Sequence, residues 1–175
     1  MTEIEVLISE HEIKGKVTEL AAILEEEYQD KHPLLIGILK GSFVFMADLI
    51  RSMGIPVEID FVQLSSYGAA RESSGKIKVG HRLKTPIKGR EVLVVEDIVD
   101  TGLTIRFLLN YLKRKRPESL KLCALFDKPS RRVVDVPIDY LGFTIPDAFV
   151  VGYGLDWNER FRYLRDLCIV SEEVK

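Results

Sequence analysis

The sequence predicts an α/β fold in which a central, mainly parallel β-sheet is flanked by helices. Three observations carry this. First, Leu34-Leu35-Ile36-Gly37-Ile38-Leu39, Glu91-Val92-Leu93-Val94-Val95-Glu96 and the run from Leu120 to Phe126 are short and apolar without a polar face, as strands covered on both sides must be. Second, segments of helical periodicity lie between them, so strands and helices alternate. Third, polar residues gather directly after Leu39, Val95, Phe126 and Val151. In an open parallel sheet ligands bind there, beyond the carboxyl ends of the strands.

The elements follow in order. From Ser9 to about Asp30 the apolar residues Ile13, Val17, Leu20, Ala21 and Leu24 recur at helical spacing, and Ser9 with Glu12 forms a capping box at the start. The strand from Leu34 to Leu39 leads into a helix from Ser42 to about Met53, and Val57 to Leu64 forms a second strand. The stretch from Ser65 to Gly75 is small and polar; it cannot bury much surface, which predicts a mobile loop. Ile77 to Leu83 returns as a strand. Glu91 to Glu96 is the clearest buried strand, followed by a helix from Leu103 to Arg114 and a strand from Leu120 to Phe126. Short strands at Tyr140–Phe143, Phe149–Val151 and Leu167–Val170 complete the chain.

Composition narrows the function. At 175 residues, 46% hydrophobic and 30% charged, the chain is expected to form one domain, 1–175, with an ordinary soluble core. A net charge of -2 gives no general attraction to nucleic acid or an anionic membrane. The one basic run, Lys113-Arg114-Lys115-Arg116, sits at a helix C-terminus, where cations are favourable anyway. No apolar stretch approaches the roughly 18 residues of a membrane span, and the first ten residues lack a basic-then-apolar leader pattern. Cys123 and Cys168 each sit in an apolar run and form no Cys-x-x-Cys pair, so both read as buried thiols. Together these features predict a reduced, cytoplasmic protein with no nucleic-acid or membrane partner. His11, His32 and His81 lie in no motif, which leaves a zinc or histidine-base mechanism without support.

The chemistry centres on Glu96-Asp97-Ile98-Val99-Asp100-Thr101-Gly102-Leu103-Thr104. Two adjacent carboxylates at the end of a buried strand repel each other and cost free energy if desolvated alone. A ribose diol with a magnesium ion would relieve that cost. Asp100 to Thr104 then offers two hydroxyls, a glycine that admits close backbone approach, and the amides of a helix N-terminus, which together suit a phosphate monoester. Any one of these residues is also common as a helix cap.

The run from Val94 to Gly102 resembles the phosphoribosyl pyrophosphate signature of type I phosphoribosyltransferases. The resemblance implies that fold, with a small C-terminal hood contributed mainly by residues from about 140 to 175. It implies that Glu96 and Asp97 bind the ribose hydroxyls and that Asp100, Thr101, Gly102, Leu103 and Thr104 hold the 5-phosphate. Some relatives carry a basic residue at the Leu103 position. Lys40-Gly41, after the first core strand, resembles the family's pyrophosphate loop, where the peptide between the matching residues is often cis.

Two further segments point to the base. A lysine donates hydrogen bonds and accepts none, so Lys128 in Phe126-Asp127-Lys128-Pro129 favours a carbonyl oxygen over an amino group. The segment from Pro146 to Arg162 resembles the purine-binding hood of the hypoxanthine-guanine members. By that resemblance Lys128 contacts the 6-oxygen, Phe149 stacks on the purine and backbone groups of Val150 read its edge. Asp156 would ligate a second magnesium ion and Arg162 would reach the pyrophosphate. Glu96, Asp97 and Asp156 are thus the expected metal-binding carboxylates, with Mg2+ as cofactor. Ser66 and Tyr67 are expected lid contacts, and Asp100 is the candidate general base, although from the residues alone it serves equally as a cap.

The reading is purine salvage: transfer of a phosphoribosyl group from phosphoribosyl pyrophosphate to hypoxanthine or guanine, by a homodimer or homotetramer as is usual in the family. Two rivals remain at this stage. One is a regulator that binds phosphoribosyl pyrophosphate and a nucleic acid; the other is a transferase acting on xanthine, adenine, uracil or orotate. Lys128 argues against adenine and the hood segment against the pyrimidines.

Overall fold

Leu34–Leu39, Glu58–Ser66, Glu91–Val99, Ser119–Asp127 and Tyr140–Thr144 form the parallel strands β2, β3, β5, β6 and β7 of the computed structural model, which describes residues 2–66, 77–81 and 83–172. With the antiparallel edge strand β4 (Ile77–His81) they make a six-stranded sheet in the order β4-β3-β2-β5-β6-β7. The helices are α1 (Glu10–Tyr28), α2 (Phe43–Ser52) and α3 (Leu103–Lys113). A second sheet of three strands, in the order β1-β9-β8, joins Thr2–Ile8, Leu167–Glu172 and Val150–Val151.

Strand alternation sorts the core into two layers. Leu35, Leu93, Val95, Cys123 and Leu125 face α1 and α2, where they meet Ile13, Val17, Leu20, Leu24, Phe45, Met46 and Leu49. Leu34, Ile36, Val92, Val94, Leu122 and Ala124 face the other way, onto Ile105, Leu108 and Leu112 of α3. Residues one apart on a strand point to opposite faces, so strands with no polar positions require cover on both sides. Full burial of each such side chain contributes about 1.5–3 kcal/mol before chain entropy is counted. The capping box at α1 is present: Ser9 N donates to Glu12 Oε2 at 2.9 Å and Glu12 N to Ser9 Oγ at 3.3 Å. Cys123 and Cys168 are both free and buried.

Three expectations need correction. β5 runs to Val99 rather than stopping at Glu96, because β6 supplies a parallel ladder to its end, with Glu96 against Ala124 and Val99 against Asp127. The acidic pair therefore stands on the strand itself. The hood does not begin near residue 140: β7 pairs with β6 in the large sheet, Phe126 against Phe143. Its place in the small sheet is taken by β1, which pairs antiparallel with β9 from Thr2–Glu172 to Ile8–Leu167. The cis peptide lies between Leu39 and Lys40, one bond before the expected position. The loop expected at 65–75 falls almost entirely outside the described residues, as does Tyr67; Ser66 is the last residue of β3.

Candidate active site

The loop joining β5 to α3 is built to leave polar groups available. Gly102 is the N-cap of α3 with φ 81, and no side chain caps the helix. Asp100 is thus not a helix cap, and its Oδ1 is buried without a hydrogen-bond partner among the described residues. Thr101 Oγ1 accepts from Leu103 N at 3.4 Å, while Leu103 and Thr104 stand exposed at the first turn. A Cβ at Gly102 would meet Val134 O at 2.6 Å and Val136 Cγ2 at 2.9 Å, so the left-handed turn and the close approach both demand glycine.

A clamp from the next connection holds this loop. Arg132 Nε donates to Asp100 O at 3.0 Å and its other arm pairs with Asp127. Val133 N and Val134 N donate to Thr101 O at 3.0 and 3.2 Å. Sequence reasoning passed over Arg132; its signal is the spacing of five from Asp127 across the 3-10 turn Pro129–Arg131. A carboxylate and a guanidinium brought back together by one tight turn make a natural pair.

Glu96 and Asp97 are buried, at 9% and 5% exposure. Burial, then the neighbouring Asp97 charge, push the Glu96 carboxyl well above the usual carboxylate range. Burial likewise raises Asp97, opposed by the Ile98 amide and more weakly by Arg162. Glu96 Oε2 has no hydrogen-bond partner among the described residues, whereas Asp97 Oδ1 accepts from Ile98 N at 2.9 Å. Gly41 lies directly against Asp97, whose carboxylate a Cβ at 41 would overlap. The loop after β2 thus meets the acidic pair on β5.

The segment from Gly152 to Arg162 closes the other side. Arg162 donates to Gly154 O at 2.7 Å and pairs with Asp156 Oδ1 at 2.7 Å and Glu159 Oε2 at 3.3 Å. Lys40 Nζ pairs with Glu159 Oε1 at 2.7 Å, and Glu159 N donates to Asp156 Oδ2 at 2.9 Å. The Lys40 ammonium, followed by Arg162, holds the Glu159 carboxyl below its ordinary value. Glu159 was not singled out from the sequence, because a partner 119 positions away leaves no local signal.

Glu96 and Asp97 adjoin each other, while Asp156 is engaged by Arg162 and the Glu159 amide. No three His, Cys, Asp or Glu side chains converge among the described residues. The three carboxylates named for metal thus occupy two places, Glu96 with Asp97 and Asp156 apart from them. The orphaned Glu96 Oε2 fits a magnesium ion or a hydroxyl ligand all the same. Magnesium keeps several waters and takes few protein oxygens beside those of its substrate.

Lys128, Phe149 and Val150 come together between the two sheets. Lys128 is 5% exposed and its Nζ donates to Ala148 O at 2.7 Å, beside the start of β8. Phe149 is 53% exposed, so it is not packed into the core, and it meets Trp157 edge-on with centroids 6.1 Å apart. Trp157, unassigned from the sequence, also stacks on Phe161 at 6.4 Å. Val150 registers against Ile169 while Phe149 O accepts from Val170 N at 2.9 Å. In an antiparallel pair the bonded and non-bonded positions alternate, so the backbone groups of Val150 face the open edge of β8.

This geometry joins a glycine turn at an uncapped helix N-terminus to an aromatic-lined surface across the strand ends. The phosphoribosyl transferase domain model matches residues 6–158, and the chain belongs to that family, in its hypoxanthine-guanine branch. The hypoxanthine-guanine phosphoribosyltransferase of Bacillus subtilis (strain 168) is 51% identical over 169 residues, 97% of this chain and 94% of the relative. A solved hypoxanthine-guanine phosphoribosyltransferase from Bacillus anthracis, with a HEPES molecule in its active site, superposes with a TM-score of 0.91 at 46% identity, covering 97% of this chain and 100% of that one. The hypoxanthine phosphoribosyltransferase of Trypanosoma cruzi in complex with the product IMP gives 0.90 at 39% identity, over 98% and 96%.

Proposed function

We propose that the protein transfers the phosphoribosyl group of phosphoribosyl pyrophosphate to hypoxanthine or guanine, releasing pyrophosphate and forming IMP or GMP. The observation that carries the choice of base is the buried Lys128 ammonium beside the exposed ring of Phe149 and the open edge at Val150. An ammonium there donates to a 6-oxo group and meets the 6-amino group of adenine donor to donor. A site that leaves buried donors unpaired discriminates strongly.

Roles follow from position. Phe149 stacks on the purine, with Trp157 setting its ring angle, and Val150 reads the purine edge. The amides and hydroxyls of Asp100 to Thr104 hold the 5-phosphate, with Leu103 contributing its amide and no charge. Lys40, Gly41 and Arg162 line the pyrophosphate. Glu96 and Asp97 take the ribose hydroxyls, and with Asp156 they are the carboxylates available to Mg2+. Held there with the substrate, Mg2+ would supply positive charge to offset that of the departing pyrophosphate. The anomeric carbon gains oxocarbenium character as that bond lengthens, and a purine ring nitrogen attacks from the opposite face. Asp100, with an oxygen buried and unpartnered among the described residues, takes the purine ring proton. Ser66 and Tyr67 complete the lid, which keeps water from the sugar cation; unchanged turnover in Ser66→Ala and Tyr67→Phe would remove them from that role.

The whole chain acts as one domain, cytoplasmic and assembled as a homodimer or homotetramer. The exposed Phe43 and Tyr163 support assembly, since apolar surface of this kind is often covered by a partner. A monomer mass by light scattering would contradict that part. Among the described residues no helix is long and apolar enough to cross a membrane. The function is tested by Trp157, the single tryptophan, which touches Phe149. IMP or GMP should change its fluorescence at micromolar concentration and AMP should not; equal responses to IMP and AMP would overturn the reading of Lys128.

A further inference from the structure

Glu159 is the acidic group that the proposed chemistry leaves without a task, and it sits among that chemistry's cations. Its Oε1 pairs with Lys40 Nζ at 2.7 Å and its Oε2 with Arg162 at 3.3 Å. The backbone there is bent for the purpose: Asn158 and Glu159 have φ 52 and 60, a conformation that side-chain-bearing residues rarely adopt. Glu159 N is held by Asp156 Oδ2 and Trp157 exchanges backbone bonds with Arg160, so the tight turn presents the carboxylate toward Lys40. One anionic group with two oxygens thus bridges two cations that lie on separate loops.

We propose that the Glu159 carboxylate occupies the pyrophosphate's place in the free enzyme and is displaced when substrate enters. This rests on the reading that Lys40 and Arg162 line the pyrophosphate. The exposure of the parts suits a reversible contact: the Glu159 side chain is 65% exposed and that of Lys40 55%. Ion pairs so open to water are weak and give way to a multiply charged competitor. A pyrophosphate carries more charge and more oxygens than one carboxylate, so it wins both cations. Until it arrives, Glu159 keeps Lys40 and Arg162 near each other and lowers the pull of the site on lesser anions. Glu159 is therefore a positioning and selectivity residue, and it touches no reacting atom.

The test is calorimetric titration of the full chain with inorganic pyrophosphate in the presence of magnesium, for the unmodified protein, Glu159→Gln, Lys40→Met and the double variant. Removing the competing charge should tighten pyrophosphate binding by about three-fold in Glu159→Gln. Added salt should shrink the gain, and it should vanish in the Lys40→Met background. Inorganic phosphate should gain relatively more than pyrophosphate, because Glu159 no longer screens out the smaller anion. If Lys40→Met weakens pyrophosphate while Glu159→Gln leaves it unchanged or weaker, the pyrophosphate reading stands and the displacement proposal is wrong. If Lys40→Met changes nothing, the role of Lys40 fails and the proposal fails with it.

Discussion

At the scale of single residues, the site holds groups whose presence costs the free protein stability. Glu96 is the clearest. Folding favours its protonated form, since burial and then Asp97 raise its pKa. Stability from this group is therefore greatest below the unfolded value of about 4.3 and is lost as pH rises from there toward the folded value. Glu96→Gln should raise the melting temperature of the free protein at neutral pH, by roughly 2–4 °C for each kcal/mol relieved. The same change should lower kcat/KM for phosphoribosyl pyrophosphate by at least about 10-fold, the loss of one charge-assisted contact. A melting temperature that falls would contradict this account of Glu96. Gly41 is constrained by space, as a Cβ there would overlap the Asp97 carboxylate. Gly41→Ala should cut kcat/KM by about 100-fold, because displacement by about an ångström misplaces the reacting groups; near-normal kinetics would show that the loop yields. Both acids and Lys40-Gly41 were legible in the sequence because they cluster at strand ends. The ion pairs of Lys40 and Arg162 were not, since Glu159 meets Lys40 only after the chain folds.

At the scale of elements, the β5–loop–α3 unit was readable because its parts are contiguous. What anchors it was not, because Arg132 reaches back across another connection to Asp100 and Asp127. Both side chains of that ion pair are mostly buried, at 16% and 13% exposure, and removing one partner of such a pair costs about 3–5 kcal/mol. Arg132→Met should lower the melting temperature accordingly and raise KM for phosphoribosyl pyrophosphate more than it lowers kcat. Adding Asp127→Leu should recover part of the stability without restoring KM, since Asp100 O stays unheld. Thermal denaturation and steady-state kinetics on the two variants check this; a single variant as stable as the parent would rule out the clamp. β1 marks the same limit of local reading. Its Ile4 and Val6 alternate with Glu3 and Glu5 before the run Val6-Leu7-Ile8 breaks the pattern, and its partner β9 lies at the far end of the chain. The misplaced start of the hood has a related cause: periodicity marks Tyr140–Thr144 as a strand without saying which sheet it joins.

At the scale of the whole molecule, the two sheets share one apolar core. Ile8, Val150, Tyr153 and Leu167 of the small sheet and its loops pack with Leu35 and Leu93 of the large one and with Phe45 of α2. Tyr153 ties the hood to α2, its hydroxyl donating to Asp48 Oδ2 at 2.7 Å. This shared packing positions Phe149 and Val150 relative to Lys128, whose Nζ reaches Ala148 O. Parallel strands that end together place Lys40, Asp97, Asp100 and Lys128 along one edge, and that arrangement follows directly from the α/β pattern of the sequence. On this reading the edge and the hood together select a 6-oxopurine. Pyrophosphate release with phosphoribosyl pyrophosphate and magnesium, measured side by side with hypoxanthine, guanine, xanthine, adenine and uracil, tests it most directly. Turnover should occur with hypoxanthine or guanine and not with adenine or uracil; turnover with adenine, or silence with every base, would overturn the assignment of a 6-oxopurine.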